Sequence, residues 1–160
     1  MINVVAFQQH HLDKTYQWML DENLKKNFLF RGSVTPESHL HWFEQYLIDQ
    51  SQKIYAVCFD DLHVGNIGLK NIDTTNRNAE TWVYIGDATM KGKGVGKVAY
   101  QQLLSLWKEG FHKIYANIAE FNTSSIKMYQ KAGFSLEGIF KNQLLWDNQY
   151  YSILRFAIFL

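Results

Sequence analysis

The sequence predicts an α+β fold in which a mixed, mostly antiparallel sheet is flanked by four helices. Two observations support this. Strand-like runs alternate with amphipathic helical segments along all 160 residues. A glycine-rich turn at residues 91–97 stands between an apolar, strand-like run and a helix. The length suits one domain with a substantial core, so residues 1–160 are assigned to a single domain.

The N-terminal half is predicted to contain two helices and three antiparallel strands. Thr35 is placed to cap the second helix and Pro36 to occupy its first position, where the missing proline N–H costs nothing. Asp60 and Asp61 form the tight turn between the last two strands. The predicted elements are a strand at residues 2–7, a helix at 11–20, a polar segment at 21–33, a helix from residue 36, and strands at 53–60 and 63–72.

The C-terminal half is predicted to alternate strands with helices and to end in a hairpin across Asp147 and Asn148. The helix after the glycine-rich turn has an apolar face with core spacing, made of Val95, Val98, Ala99, Leu103, Leu106 and Trp107. Gly110 ends this helix, and Gly133 ends the next one. The other predicted elements are strands at residues 79–86 and 113–119, a helix at 122–132, and final strands at 134–145 and 150–159.

Composition and charge exclude several classes of protein. The formal net charge of +1 argues against a role on nucleic acid or on a membrane surface. The chain has no long apolar run and no signal-peptide pattern, so a cytoplasmic protein is expected. Cys58 lies in an apolar run and is predicted to be a small core residue in a reducing compartment. His39 and His41 diverge on one helix, and no metal site is predicted.

The glycine-rich turn is typical of an anion site, because free amides and the positive end of a helix dipole converge there. A nucleotide-triphosphate loop is excluded, since Val98 follows Gly96-Lys97 and position 91 is not glycine. A dinucleotide pattern is met formally by Gly94, Gly96 and Ala99, with Glu120 downstream. The long approach to the glycines, residues 87–91, disfavours this pattern but leaves a dehydrogenase as an alternative.

Two motifs in the second half resemble those of the GNAT family of N-acetyltransferases. The turn reads Lys91-x-x-Gly94-x-Gly96, with Lys91 where the family usually has Arg or Gln. The second motif reads Asn122-x-x-Ser125-x-x-x-Tyr129-x-x-x-Gly133-Phe134, and all five of its positions agree with the family pattern. The resemblance extends over nearly the whole chain. It implies acetyl-CoA as cofactor and a GNAT fold, with a V-shaped splay between two parallel central strands.

The resemblance also implies roles for individual residues. Tyr129 is expected to protonate the departing thiolate, and Glu80 or Glu120 to act as the general base. The glycine-rich turn would hold the pyrophosphate, and strand residues 81–85 would pair with the pantetheine arm. The expected cofactor-binding residues are Val83, Tyr84, Ile85, Lys91, Gly92, Lys93, Gly94, Val95, Gly96, Lys97, Asn122, Ser125 and Tyr129.

The N-terminal half resembles one branch of the family, the N-acetyltransferases of UDP-linked 4-amino sugars in the pseudaminic-acid pathway. Segments 35–43, 67–69, 76–80 and 83–87 carry this resemblance. It implies a small-molecule amine substrate, a nucleotide sugar, and an arginine that this chain replaces with Met19; Arg31 or Lys25 and Lys26 would have to compensate. The expected substrate-binding residues are Leu29, Phe30, His39, Trp42 and Glu80.

Other acceptors and a non-catalytic role stay open at this point. Asn122-x-x-Ser125 and Gly133-Phe134-x-x-Glu137-Gly138 are also similar to acetyltransferases of ribosomal-protein N-termini and of polyamines. A polyamine acceptor predicts a strongly acidic pocket, and the segments from Phe28 to Trp42 supply few acids. A non-catalytic acetyl-CoA-binding module is a further alternative. The last strand, residues 153–160, is expected to pair across a possible homodimer.

Overall fold

A computed structural model describes all 160 residues. Seven strands form one sheet in the order β1-β2-β3-β4-β5-β7-β6, and every neighbouring pair is antiparallel except the parallel pair β4 and β5. The predicted mixed, mostly antiparallel sheet is therefore confirmed. The strands are β1 (Ile2–Ala6), β2 (Lys53–Phe59), β3 (Leu62–Asp73), β4 (Asn78–Ile85), β5 (Lys113–Ala119), β6 (Ser135–Trp146) and β7 (Gln149–Phe159).

Five α-helices flank the sheet, one more than the sequence predicted. They are α1 (Leu12–Met19), α2 (Glu22–Asn27), α3 (Pro36–Ile48), α4 (Val95–Trp107) and α5 (Thr123–Lys131). The additional helix is α2, which lies in the polar segment at residues 21–33. Asp21 caps it by accepting hydrogen bonds from the amides of Asn23 and Leu24, and Leu24 is its one buried residue. No helix is long and apolar enough to cross a membrane.

Local chemistry accounts for the boundaries that were predicted correctly. Thr35 and Ser38 form a reciprocal capping box at the start of α3, and Pro36 takes the first position. Asp60 and Asp61 both have positive φ, 44° and 65°, as a two-residue hairpin turn between β2 and β3 requires. The turn between β6 and β7 uses Asp147 and Asn148 in the same way.

The sheet is covered on both faces. The larger hydrophobic core lies under α4 and α5, and the smaller one, which contains Cys58, lies under α1 and α3. Burial raises the pKa of the Cys58 thiol, as expected for a core cysteine. In α4 the inward face differs from the predicted one: Tyr100 is fully buried, whereas Val98 and Leu106 are exposed. The predicted face thus included two exposed residues and omitted the buried aromatic ring of Tyr100.

The parallel pair β4 and β5 separates early. Their register runs only from Asn78 opposite Lys113 to Glu80 opposite Tyr115, so β4 has no partner on its β5 side from Thr81 onward. This is the predicted splay. In contrast, the expectation that residues 153–160 pair across a dimer is wrong, because β7 has β5 along one edge and β6 along the other. The free edges of the sheet belong to β1 and β6.

Candidate functional site

A cleft of about 470 Å³ opens where β4 leaves β5, between β4, the glycine-rich turn and α5. The turn forms one wall, and the first turn of α5 forms the opposite one. Of the residues expected to bind cofactor, those that line this cleft are Val83, Tyr84, Ile85, Lys91, Gly92, Gly94, Val95, Gly96, Lys97, Asn122 and Ser125. Lys93 and Tyr129 do not line it. The sequence motifs thus converge on one cavity.

The start of α4 has the features of an anion site. Gly94 is the N-cap residue with φ of 78°, and no side chain caps the helix. The first hydrogen bond of the helix runs from the amide of Val98 to the main-chain oxygen of Gly94. The amides of residues 95–97 therefore have no main-chain partner and remain free. A Cβ atom added to Gly92 or Gly94 would meet nothing within 4 Å, so both glycines border open space. A phosphate group fits against these amides.

Four lysines surround this turn and give the cleft a positive potential. Lys91 and Lys97 belong to the turn and α4, and Lys127 and Lys131 lie one turn apart on α5. No carboxylate lines the cleft. Sequence reasoning missed the two lysines of α5, although their i, i+4 spacing places them on one face of that helix. Such a cleft suits a ligand with several phosphates.

Asn122 acts first as a structural residue. Its side-chain oxygen accepts a hydrogen bond from the amide of Ser125 at 3.2 Å and caps α5. Its amide nitrogen donates to the main-chain oxygen of Asn27 at 3.3 Å and ties α5 to α2. Ser125 lies at the cleft surface. Asn122 therefore holds the cleft in shape by joining the two helices that border it.

Tyr129 is buried in the core behind the cleft rather than at its surface. Only 4% of the residue is exposed, and its ring packs against Tyr100 and Phe134. The hydroxyl of Tyr100 donates to the Tyr129 oxygen at 2.8 Å. Burial raises the pKa of Tyr129, and the hydrogen bond from Tyr100 opposes part of that rise. The neighbouring Met128 borders the cleft instead.

The two candidate carboxylates occupy different environments. Glu80 is 9% exposed, accepts a hydrogen bond from Asn71 at 2.9 Å and pairs with Lys70 at 3.4 Å. Glu120 is exposed and accepts a hydrogen bond from the amide of Ser152 at 2.6 Å. Neither residue lines the cleft. Glu80 lies at the apex of the splay, where β4 and β5 last pair, and Glu120 lies beyond the far end of β5.

A second cavity, of about 410 Å³, lies beside the cleft and is bordered by α1, α3, β3 and β4. The two cavities share Phe28 and Tyr84 as lining residues, so those side chains stand between them. Trp82 stacks on Tyr84 with ring centroids 5.9 Å apart, and Phe28 contacts both rings by its edge. The second cavity therefore has an aromatic wall on the side nearer the cleft.

Three of the residues expected to bind substrate line this second cavity: Phe30, His39 and Trp42. His39 stacks on Trp42 at 5.1 Å, and its buried Nε2 atom has no hydrogen-bond partner. Burial lowers the pKa of His39, which favours a neutral ring that can donate or accept one hydrogen bond. Leu29 and Glu80 do not line the cavity, and Phe28 takes the place expected for Leu29.

The charge of the second cavity is also informative. Its lining contains Lys70 and no carboxylate. Arg31 does not reach it, since its side chain bonds the main-chain oxygen of Leu145 and lies over the ring of Trp146. Lys26 pairs with Asp147, and Lys25 with Glu22. The cavity is thus apolar and aromatic with a few neutral polar groups, and it lacks the acidic lining that a polycation would require.

A polar network fixes the wall between the cavities. Asn66 donates to the hydroxyl of Tyr84 at 2.7 Å and to the hydroxyl of Thr15 at 2.9 Å. Its own oxygen lies 2.8 Å from Nε2 of His63, which must therefore be the donor. Sequence reasoning missed this network, since Thr15, His63 and Asn66 belong to no motif and Tyr84 was expected only as a cofactor-binding residue. No group of three or more histidine, cysteine, aspartate or glutamate side chains is arranged to hold a metal ion.

Comparison with known proteins agrees with this geometry. The model of the acetyltransferase (GNAT) domain matches residues 2–135. The spermidine N(1)-acetyltransferase of Escherichia coli K12 is 28% identical over 122 residues, which are 73% of this chain and 63% of that protein. A putative phosphinothricin acetyltransferase of Bacillus subtilis is 29% identical over 128 residues, 75% of each chain. This chain thus spans under two thirds of the first of these relatives.

Solved structures support the fold. The structure of spermidine N-acetyltransferase from Vibrio cholerae in complex with CoA and spermine superimposes with a TM-score of 0.91. It covers 99% of this chain and 95% of the other, at 19% sequence identity. At that identity the likeness establishes the shared architecture alone. The relatives named for spermidine give the polyamine alternative a support that the nucleotide-sugar expectation lacks.

Proposed function

We propose, because the chain belongs to the acetyltransferase (GNAT) domain family, that it transfers the acetyl group of acetyl-CoA directly to a primary amine. The observation that carries this proposal is the arrangement of the two cavities. A cleft with free helix amides and four lysines suits the phosphates of coenzyme A, and an aromatic cavity for the acceptor adjoins it across Tyr84. Donor and acceptor would meet at the splay of β4.

The splayed strand supplies the contacts that acyl transfer needs. Acetyl-CoA brings the acetyl group as a thioester. The edge of β4 beyond Glu80 has no strand partner on the β5 side, so its main chain is free to pair with an extended pantetheine arm. An amide N–H of this edge would stabilise the negative charge that develops on the carbonyl oxygen. The site would thus hold the thioester before the amine attacks.

Glu80 and Tyr129 are the proposed proton-transfer groups. The amine must be neutral when it attacks, and Glu80, buried at the apex, would accept its proton through a water molecule. Tyr129 would donate a proton to the departing thiolate. Since its hydroxyl is buried, this role requires the thioester sulfur to reach the apex of the splay. Glu120 stays the alternative base: like Glu80 it lines neither cavity, and it accepts a hydrogen bond from the Ser152 amide.

The acceptor that the second cavity supports best is an amine carried on a nucleotide-linked amino-deoxy sugar. Aromatic faces of Phe30, Trp42 and Trp82 suit a planar base, and His39 supports the ring of Trp42 by stacking on it. The lining has a lysine and no carboxylate, as an anionic acceptor requires. This acceptor rests on charge and shape, and on the resemblance of residues 35–43 to that branch.

A polyamine is the second candidate, and the curated relatives named spermidine N(1)-acetyltransferase favour it. The lining of the second cavity gives a polycation little support, because it contains no carboxylate and its one charged residue, Lys70, is paired with Glu80 behind it. The two candidates therefore differ in the charge that the acceptor carries. This difference can be tested directly.

The test is a panel of amines assayed by release of free thiol from acetyl-CoA. The panel contains a 4-amino sugar nucleotide, spermidine and a peptide with a free N-terminus. We expect the sugar nucleotide to have the highest kcat/KM, and His39→Ala and Trp42→Ala to raise its KM without changing acetyl-CoA binding. A tenfold preference for spermidine or the peptide, about 1.4 kcal/mol of discrimination, would overturn the acceptor assignment and leave the transferase assignment intact.

A further inference from the structure

Three buried hydroxyl groups stand in a row between α5 and β3. The Tyr129 oxygen accepts from the hydroxyl of Tyr100 at 2.8 Å, and the Tyr100 oxygen lies 3.0 Å from Oγ1 of Thr81. Thr81 Oγ1 donates to the main-chain oxygen of Gly68 at 2.9 Å. Tyr129, Tyr100 and Thr81 are 4%, 0% and 2% exposed. Bulk water therefore does not reach the hydroxyl groups of Tyr100 and Thr81.

The protons of this row can be counted. In the structure Tyr100 donates to the Tyr129 oxygen, so the proton of Tyr129 is not used within the row and is free to be given away. Thr81 can donate either to the carbonyl of Gly68, which can only accept, or to the Tyr100 oxygen. When Tyr129 loses its proton, Tyr100 keeps its own proton on the Tyr129 oxygen, and the hydroxyl of Thr81 can rotate to donate to Tyr100. The buried rings need not move.

The position of the row connects it with acetyl transfer. Thr81 is the first residue of β4 beyond the last parallel pair, Glu80 and Tyr115, so the row begins at the apex of the splay. Tyr100 is the only hydrogen-bond partner of the Tyr129 hydroxyl. Burial and the charge of Glu80 both raise the pKa of Tyr129, and only the hydrogen bond from Tyr100 lowers it. Without Tyr100, Tyr129 would be a poorer proton donor.

Resting on the proposed acetyl transfer, we propose that Tyr100 and Thr81 are positioning residues that stabilise the Tyr129 phenolate while Tyr129 serves as the general acid. The O–H bond of Tyr129 breaks as the S–H bond of free coenzyme A forms. Tyr100 then donates to the phenolate oxygen, and Thr81 orients Tyr100. The amine loses one proton on acylation, and Tyr129 recovers one from solvent after the thiol leaves, so protons balance over the cycle.

We call the hydrogen-bonded row of Tyr129, Tyr100 and Thr81 the relay. Paired substitutions at Thr81 distinguish a role of its hydroxyl in the relay from a role in packing. Thr81→Val keeps the branched shape and removes the hydroxyl, whereas Thr81→Ser keeps the hydroxyl and removes the methyl group. The relay predicts that Thr81→Val lowers kcat more than Thr81→Ser, which should restore most of the activity. It also predicts unchanged KM values for both substrates. The reverse order, with Ser slower than Val, would show that Thr81 only fills space and would overturn its role.

A double-mutant cycle tests whether Tyr100 acts through Tyr129. Tyr100→Phe should lower kcat by about 10–100-fold, the effect expected from losing a hydrogen bond to a charged acceptor. The same substitution should have almost no further effect in a Tyr129→Phe background. Tyr55→Phe is the matched control, because it removes a hydroxyl without a hydrogen bond beside the same core. Equal, additive losses in both backgrounds would contradict the proposal.

A second readout does not need turnover. A fluorinated tyrosine incorporated at position 129 reports its ionisation through the fluorine NMR signal. The relay predicts that its pKa rises in Tyr100→Phe and Thr81→Val and stays close to the parent value in Thr81→Ser. An unchanged pKa in all three variants would overturn the relay even if no amine is acetylated. Loss of all transferase activity together with the predicted pKa changes would instead point to failure of the proposed function.

Discussion

Lys127 and Lys131 lie one helical turn apart on α5, and both border the cleft. They offer the most direct side-chain test of the proposed phosphate site, because neither contributes to the core. We predict that replacing both with glutamine raises the dissociation constant of acetyl-CoA several-fold, since an exposed charge pair contributes up to about 1 kcal/mol. Calorimetric titration of acetyl-CoA measures the change. The KM of the amine should not change.

A matched control accompanies this pair. Lys108 lies at the opposite end of α4, outside the cleft, so Lys108→Gln should leave acetyl-CoA binding unaltered. Raising the ionic strength should narrow the difference between the parent protein and the double variant, because salt screens exposed charges. If the double variant binds acetyl-CoA as tightly as the parent does at low salt, the phosphates lie elsewhere.

Tyr129 gives the residue-scale test of chemistry. If it protonates the thiolate, Tyr129→Phe should lower kcat by about 10²–10⁴-fold. Because the ring stays in place and the hydroxyl lies outside the cleft, the affinity for acetyl-CoA should change little. Single-turnover kinetics combined with calorimetry separate the two quantities. Near-parental turnover would mean that water or the substrate donates the proton and that Tyr129 is a core residue only.

At the scale of elements, the docking of α1 on β3 depends on neutral histidines. His11 and His63 lie with ring centroids 4.7 Å apart, and Trp18 packs on His63. Nδ1 of His11 accepts from the amide of Gln8 at 2.9 Å, which a protonated ring could not do. Burial lowers the pKa of both, that of His11 to about 4.

This cluster predicts a loss of stability in mild acid. The folded-state pKa values of His11, His39 and His63 lie below the ordinary value of 6.5, so the unfolded chain takes up protons first as the pH falls. The melting temperature should therefore drop by several degrees between pH 7 and pH 5.5, and His11→Gln should reduce that drop. His41→Gln, on the exposed face of α3, is the control. A melting temperature independent of pH in this range would contradict the account.

The elements with local signals were predictable from the sequence, and those without were not. The cap at Thr35 and the paired Asp-Asp and Asp-Asn turns marked their boundaries directly. The cap role of Asn122 emerged only from the structure. Helix α2 has a single buried residue, Leu24, so its hydrophobic period is too short to detect. Tyr100 was missed because a polar hydroxyl at a core position needs partners from other elements, which periodicity does not reveal.

At the scale of the whole molecule, the two cavities differ in how far the sequence predicted them. Two sequence motifs supply most of the lining of the cleft, so its residues could be predicted from their spacing. The second cavity is assembled from α1, α3, β3, β4 and the segment after α2, and its charge becomes apparent only when these elements pack together. The sequence therefore predicted the acetyl donor more firmly than the acceptor.

Binding of coenzyme A tests the central claim most directly. Thermal unfolding should be followed with acetyl-CoA, with NAD⁺ and without ligand, for the parent protein and for Gly94→Asp. At about one hundred times the dissociation constant, a ligand of the folded state adds about 2.7 kcal/mol, which for a chain of this size raises the melting temperature by about 5–10 °C. Space is open beside Gly94, but its φ of 78° is strained for any side chain, so Gly94→Asp should lower the melting temperature of the ligand-free protein. The acetyl-CoA effect is therefore compared with the ligand-free form of the same variant, in which the aspartate charge repels phosphate.

The account predicts a rise with acetyl-CoA for the parent protein, no rise with NAD⁺, and loss of the acetyl-CoA effect in Gly94→Asp. A rise with NAD⁺ and none with acetyl-CoA would contradict it.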